Sequence, residues 1–250
     1  MSVPRRRSFH PLVSTENELA PTCAEINFLW SFIQGSITVP ETWNALLRSY
    51  GLCERHAWMH IGVEMSFRDE YLLGPTILYA ELIEKALCIV SRLESIGRHS
   101  FEYALRARSP CFLCAMNLRN GGPAGASPRS RLDRGRDNST LRAFAGRLAP
   151  AWRSWLCPEC AKRERAGAAP TLCRQHLIAA IRAHGPVDIS TQRNLLQDLY
   201  DHVARYQDSF FVGGPEASDQ DRAALIAAIG WCSGWRLLLS QLPLVVTENT

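Results

Sequence analysis

Lysine is almost missing from this chain: Lys85 and Lys162 are its only two, and arginine carries nearly all of the positive charge. A guanidinium suits carboxylate and phosphate, but an arginine bias also follows genomic composition, so the imbalance names no partner. A net charge of +4 and a pI near 8.6 are too mildly basic to point to nucleic acid. No uninterrupted apolar run is long enough to cross a bilayer, so no membrane role is expected. Arg5, Arg6 and Arg7 are followed by no apolar signal segment. Strand-type alternation is nearly absent, which argues against a sheet architecture. A glycine-rich phosphate loop, a G-x-S-x-G elbow and an H-E-x-x-H helix are all missing. The carboxylates are scattered over helix faces, so no acid/base pair can be named and no catalytic residue is expected.

Cysteine, by contrast, is plentiful, with nine in 250 residues. Without export the thiols stay reduced, so the expected compartment is the cytoplasm and metal ligation is favoured over a disulfide framework. The strongest pattern is Cys157-Pro158-Glu159-Cys160, followed by twelve residues and then Cys173-Arg174-Gln175-His176. A C-x-x-C turn lets two sulfurs point to one side, about 2.3 Å from a zinc ion, and the C-x-x-H pair supplies the remaining corners of a tetrahedron. Pro158 stiffens the knuckle, while Gly167 and Pro170 make the connector a poor helix interior. A lone cysteine is most often a small core hydrophobe. Four ligand types at this spacing rarely arise by accident.

Along the chain, residues 1–18 read as a flexible basic arm, 19–105 as an N-terminal helical module and 106–250 as a C-terminal one. Helical spacing runs from Cys23 to Ile37, and a second helix begins at Pro40 and ends at Gly51. The knuckle Cys53-Glu54-Arg55-His56 opens a third. Pro75 begins the longest pattern, to about Ser95, with Cys88 placed in its apolar stripe. Cys111-Phe112-Leu113-Cys114 is another knuckle. Residues 120–138, with Gly121, Gly122, Pro123, Gly125 and Pro128 among four arginines, read as a flexible solvated insertion, with an anionic contact as the other reading. Helices are then expected through Leu141 to Trp155, from His176 to Gly185, from Ser190 through Tyr206, and from Ser218 or Asp219 through Leu239. The fold class is therefore all-α, an irregular helical bundle with zinc knuckles at helix starts.

Two segments are alike, Leu52-Cys53-x-x-His56 and Leu172-Cys173-x-x-His176, each opening an amphipathic helix, which suggests an internal duplication into two related modules. The stretches Gly51 to Trp58, Cys111 to Cys114, Leu172 to Leu177, and Ala204 to Tyr206 with Asp221-Arg222 to Trp231 resemble a bacterial family of helical proteins. Its members repeat C-x-x-C and G-x-C-x-x-H-A-W motifs and close with two helices. The resemblance covers most of the chain and implies an all-α zinc-binding protein without an assigned activity. The chain departs from that pattern at Ile26, where a second knuckle cysteine is expected, and in carrying the 120–138 insertion and the extra pair Cys157 and Cys160.

Two C-x-x-C and two C-x-x-H pairs make eight ligands, enough for two closed zinc sites, with iron the other candidate ion. The favoured partition joins Cys53, His56, Cys111 and Cys114 in one site and Cys157, Cys160, Cys173 and His176 in the other. The rival joins Cys111 and Cys114 to Cys173 and His176, and builds an N-terminal site from Cys23, Cys53, His56 and His60. Complete four-ligand sets read as structural, so the expected function is a non-enzymatic zinc-binding scaffold or adaptor that binds a protein partner. The alternatives are a thiol redox protein using Cys111-Cys114 or Cys157-Cys160, and a nucleic-acid-binding regulator using the basic arm and insertion.

Overall fold

Helix α1 (Cys23–Ile33) starts where Thr22 and Glu25 form a reciprocal capping box. It ends before a short 3-10 turn, Ser36–Thr38, earlier than its apolar spacing suggests. Proline at the first position of α2 (Pro40–Ser49) replaces an amide hydrogen that would have no partner. Left-handed Tyr50 and Gly51 then turn the chain into α3 (Glu54–Arg68). The structure, a computed structural model, describes residues 18–120, 127–161, 171–185 and 187–242. The basic arm over 1–17, the glycines and proline of 121–125, and the connector residues Gly167 and Pro170 lie outside the described residues.

All-α architecture is what the described residues adopt, with no strand among them. The expected single long helix from Pro75 is two: α4 (Leu73–Val90) and α5 (Leu93–Leu105). Among the described residues the longest helix is α11 (Ile189–Asp208), with the apolar stripe Leu195, Leu196, Leu199, Val203 and Tyr206, and its packing on α4 is the most extensive helix pairing. Cys88 is exposed on α4 and not in its core. The apolar residues form one continuous core from Leu19 to Leu238 that crosses position 105.

Two helices are buried on nearly every side. In α3 each residue from His56 to Ser66 is buried. In α12 (Asp219–Ser233) every residue from Ala223 to Ser233 is. Small side chains at Ala223, Ala224, Ala227, Ala228 and Gly230 let neighbouring helices approach α12 closely. A Cβ at Gly230 would lie 2.3 Å from the Trp235 indole, which packs on Trp152 with ring centroids 5.5 Å apart. We therefore expect Gly230→Ala to destabilise the protein by about 1–3 kcal/mol through overpacking. Thermal denaturation checks this, and an unchanged melting temperature would mean that the indole moves freely.

The 120–138 insertion is the main correction. Its second half is helix α7 (Arg129–Arg136), packed on α1 and α3 so closely that a Cβ at Gly135 would sit 2.6 Å from Ile26. Three of its four arginines contact the rest of the protein, while Arg129 stays exposed. Arg131 stacks on Trp30, Arg134 lies over Phe67 and donates to the Ser66 carbonyl, and Arg136 donates to the Cys23 sulfur at 3.2 Å. Composition undercounted this segment because its aliphatic stems and guanidinium planes bury against aromatics that lie far away in sequence.

Candidate metal centres

Helices α6 (Phe112–Ala115) and α10 (Arg174–Arg182) present two further pairs, whereas Cys157 and Cys160 lie in a turn after the 3-10 segment Arg153–Trp155 and not at the helix start expected. Cys53 is the N-cap of α3, with φ −65° and ψ 164°. Cys173 is the N-cap of α10, with φ −67° and ψ 164°. In each case the histidine follows in the first turn, so sulfur and imidazole come to the same side of a helix start, where the backbone dipole favours a thiolate.

Tertiary packing brings the eight residues into two groups of four, Cys53, His56, Cys111 and Cys114, and Cys157, Cys160, Cys173 and His176. Within each group the potential ligand atoms lie within 4.8 Å of one another. In the first, His56 Nδ1 lies 3.3 Å from the Cys53 and Cys114 sulfurs and 3.5 Å from that of Cys111, and the Cys53 and Cys114 sulfurs are 3.7 Å apart. In the second, His176 Nδ1 lies 3.4 Å from Cys157 and Cys160 and 3.2 Å from Cys173, with Cys160 and Cys173 sulfurs 3.8 Å apart. Metal–ligand lengths of about 2.3 Å to sulfur and 2.0 Å to nitrogen require tetrahedral edges of about 3.8 Å and 3.5 Å. A disulfide would need about 2.05 Å. The donors therefore fit a tetrahedral ion at both places, and the cysteines are free thiols.

The two residues that only the rival partition uses, Cys23 and His60, lie elsewhere. Cys23 accepts from Arg136, and buried His60 packs edge-on against Phe32 with Nε2 3.1 Å from Glu64 Oε2. One helical turn separates His60 from His56, but α3 is enclosed on all sides, so the next turn meets the core instead of the ligands.

The two groups share a pattern of N–H to sulfur bonds. Backbone amides of Cys53 and Cys114 donate to Cys111, as those of Cys173 and Cys160 donate to Cys157. The amides of His56 and His176 donate to Cys53 and Cys173. The Cys53 thiol and then the His56 ring hold Cys111 ionised down to about 3, in spite of burial, while its neighbour Cys53 is pushed up. A group with one ready thiolate and protonated neighbours has to release protons to take up a cation.

Glu25 and Arg55 are the participants that sequence reasoning missed. Glu25, fully buried, accepts from His56 Nε2 at 3.2 Å, from Arg55 through both oxygens, and from the Thr22 amide at 2.8 Å. Arg55 also binds the carbonyls of Glu18 and Ala20. Burial alone would raise the Glu25 carboxyl, but the bonds from His56, Arg55 and Thr22 outweigh it and hold it well below the usual carboxylate range. This is the carboxylate–histidine arrangement that fixes the tautomer of a metal-ligating imidazole. The capping box Thr22-x-x-Glu25 was a legible signal for the helix start, but nothing local tells that the same carboxylate reaches His56.

The turn from α12 to α13 (Arg236–Gln241) binds both cysteine–histidine loops. Ser233 Oγ donates to the Leu52 carbonyl at 2.9 Å, and Trp231 Nε1 donates to that of Leu172 at 3.0 Å. Gln175 and Arg174 donate to the Ser233 and Cys232 carbonyls, Trp58 to that of Gly234, and Glu54 accepts from the Leu237 amide. Left-handed Gly234, with φ 128°, makes this turn possible, and any Cβ there would lie 2.9 Å from Glu54. Both leucine–cysteine corners are thus held by one C-terminal element.

Comparison with protein-family models, with curated proteins and with solved structures found no match to this chain. No helix among the described residues is long and apolar enough to cross a membrane.

Proposed function

We propose that this chain is a non-enzymatic helical scaffold fastened by two structural zinc ions, which presents a surface to a protein partner. The observation that carries the reading is that each Cys/His group is a complete set of four donors at tetrahedral spacing. Such a set leaves no open position for a substrate on the ion. Bound there, zinc would join distant parts of the chain and supply no reaction.

In this reading Cys53 and His56 belong to the first half and Cys111 and Cys114 to the second, so one ion would tie two related modules together. The similar backbone at Cys53 and Cys173 and the repeated N–H to sulfur pattern support a duplication of the knuckle. An exposed aromatic surface supports a binding role: Tyr71 meets Phe210 edge-on at 4.9 Å, beside exposed Phe211 and Val212.

Metal analysis of the protein purified without chelator tests the proposal, with about two zinc ions per chain expected. A thiol–disulfide exchange assay on the same sample separates it from the oxidoreductase reading, since a closed zinc protein should not reduce a disulfide substrate catalytically. Metal-free protein with sustained disulfide reductase turnover would reverse the choice.

A further inference from the structure

The two groups differ in how they meet solvent. Cys157 and Cys173 are 1% and 2% exposed, whereas Cys114 is an exposed residue. A cavity of about 210 Å³ opens at the first group, and Cys53, Cys114 and His56 form part of its wall together with Arg119 and Asn117. Cys111 is not part of that wall. The two sulfurs that face the cavity are those 3.7 Å apart. The pair is contributed by the N-cap of α3 and by α6, a single turn of helix.

We propose that Cys114 is a covalent modification site, the sulfur through which a peroxide oxidises the first metal centre, with Cys53 as the partner that closes a disulfide. The inference rests on the zinc-scaffold reading for its metal readout, though the sulfur geometry stands without it. The cavity is large enough for a small oxidant, and Arg55, Asn117, Arg119 and Asn120 line it beside Leu113 and Leu118. In the first step the Cys114 thiol gives its proton to solvent and its sulfur attacks one peroxide oxygen. The S–O bond forms, the O–O bond breaks, and hydroxide leaves as water after taking a proton from solvent. In the second, the Cys53 thiol gives up its proton and its sulfur attacks that of Cys114. The S–S bond forms, the S–O bond breaks, and a second hydroxide leaves as water. The two sulfurs together lose two electrons and the peroxide gains them. Sulfurs 3.7 Å apart must close to about 2.05 Å. Only Cys111 and His56 then remain as donors in that group, too few to retain a structural ion. The second group, with two cysteines enclosed, keeps its metal.

The test treats zinc-loaded full-length protein with one equivalent of hydrogen peroxide. Released zinc is followed with a chromophoric chelator, and disulfides are mapped by mass spectrometry after alkylation without reduction. One zinc per chain should leave, Cys53 should be found linked to Cys114, and a dithiol reductant should restore binding. Cys114→His keeps a nitrogen donor and removes the oxidisable sulfur, so it should slow the release about tenfold or more. Cys88→Ser, at an exposed thiol that belongs to neither group, should leave the release unchanged. A first disulfide among Cys157, Cys160 and Cys173, or release indifferent to Cys114→His, would overturn the proposal. Should the protein bind no zinc at all, the scaffold reading fails by itself. The disulfide map of the metal-free chain then decides this inference, supporting it if Cys53 and Cys114 are linked first and overturning it if they are not.

Discussion

Stripping the zinc-loaded protein with an excess of chelator is expected to unfold much of its helical structure. A structural zinc site contributes an apparent 10–16 kcal/mol, roughly, at neutral pH. A whole domain is stable by only about 5–15 kcal/mol. Either ion is therefore comparable with the entire margin. The cysteine–histidine loops lie under the core, since Leu52, Trp58, Leu172 and Trp231 connect them to the buried helices α3 and α12. Freeing the second group should loosen α10 and the turn that both groups share. Circular dichroism during chelation, with zinc counted in parallel, checks this. Cys173→Ser should halve the zinc content and lower the melting temperature, whereas Cys232→Ser, whose sulfur belongs to neither group, should leave zinc unchanged. Metal-free protein with native near-ultraviolet dichroism and an unaltered melting temperature would remove zinc from the structural account.

Glu25→Ala is expected to have the next largest effect, about 3–5 kcal/mol, because it leaves Arg55 as an uncompensated charge that is largely enclosed. The same change frees His56 Nε2 and should weaken zinc at the first group by about 10–100-fold while the second group binds normally. Glu25→Gln keeps the shape and an oxygen for His56 but loses the charge, so its cost should be smaller. The carboxyl is held below its ordinary value in the folded protein. Its contribution is therefore complete above the unfolded carboxylate pKa of about 4.3 and is lost as pH falls through the folded value. The wild type should lose stability on that acid limb, and Glu25→Gln should lose less. Equal zinc affinity at both groups in Glu25→Ala would show that the carboxylate serves packing alone.

Several features were legible because they are local. Helix class followed from 3.6-residue spacing, and starts from Pro40 and Ser218. The C-x-x-C and C-x-x-H spacings were enough to choose eight ligand-type residues, since both atoms of a pair must clear the same turn. Other features escaped for equally local reasons. The break at Ser91 and Arg92 interrupts an apolar stripe that continues on both sides. Cys88 has the neighbours of a core residue but faces solvent. Helix α7 has a glycine and arginine composition that suggests a loop until Trp30 and Phe67 are placed beside it.

By itself, then, the sequence determined an all-α chain with two pairs of knuckles, because helix periodicity and ligand spacing are properties of a few neighbouring residues. It left open which knuckle meets which, and only the tertiary structure chose. Cys53 and Cys114 are 61 residues apart, and their sulfurs meet because α3 is enclosed by the core and α6 is brought onto its N-terminus. The choice of Glu25 as partner to His56, and of the turn after α12 as the clasp for both loops, was made the same way. A carboxylate or carbonyl carries no mark of its distant partner in one sequence. Burial decides it, because each buried polar group has to find the donor or acceptor that packing places within reach.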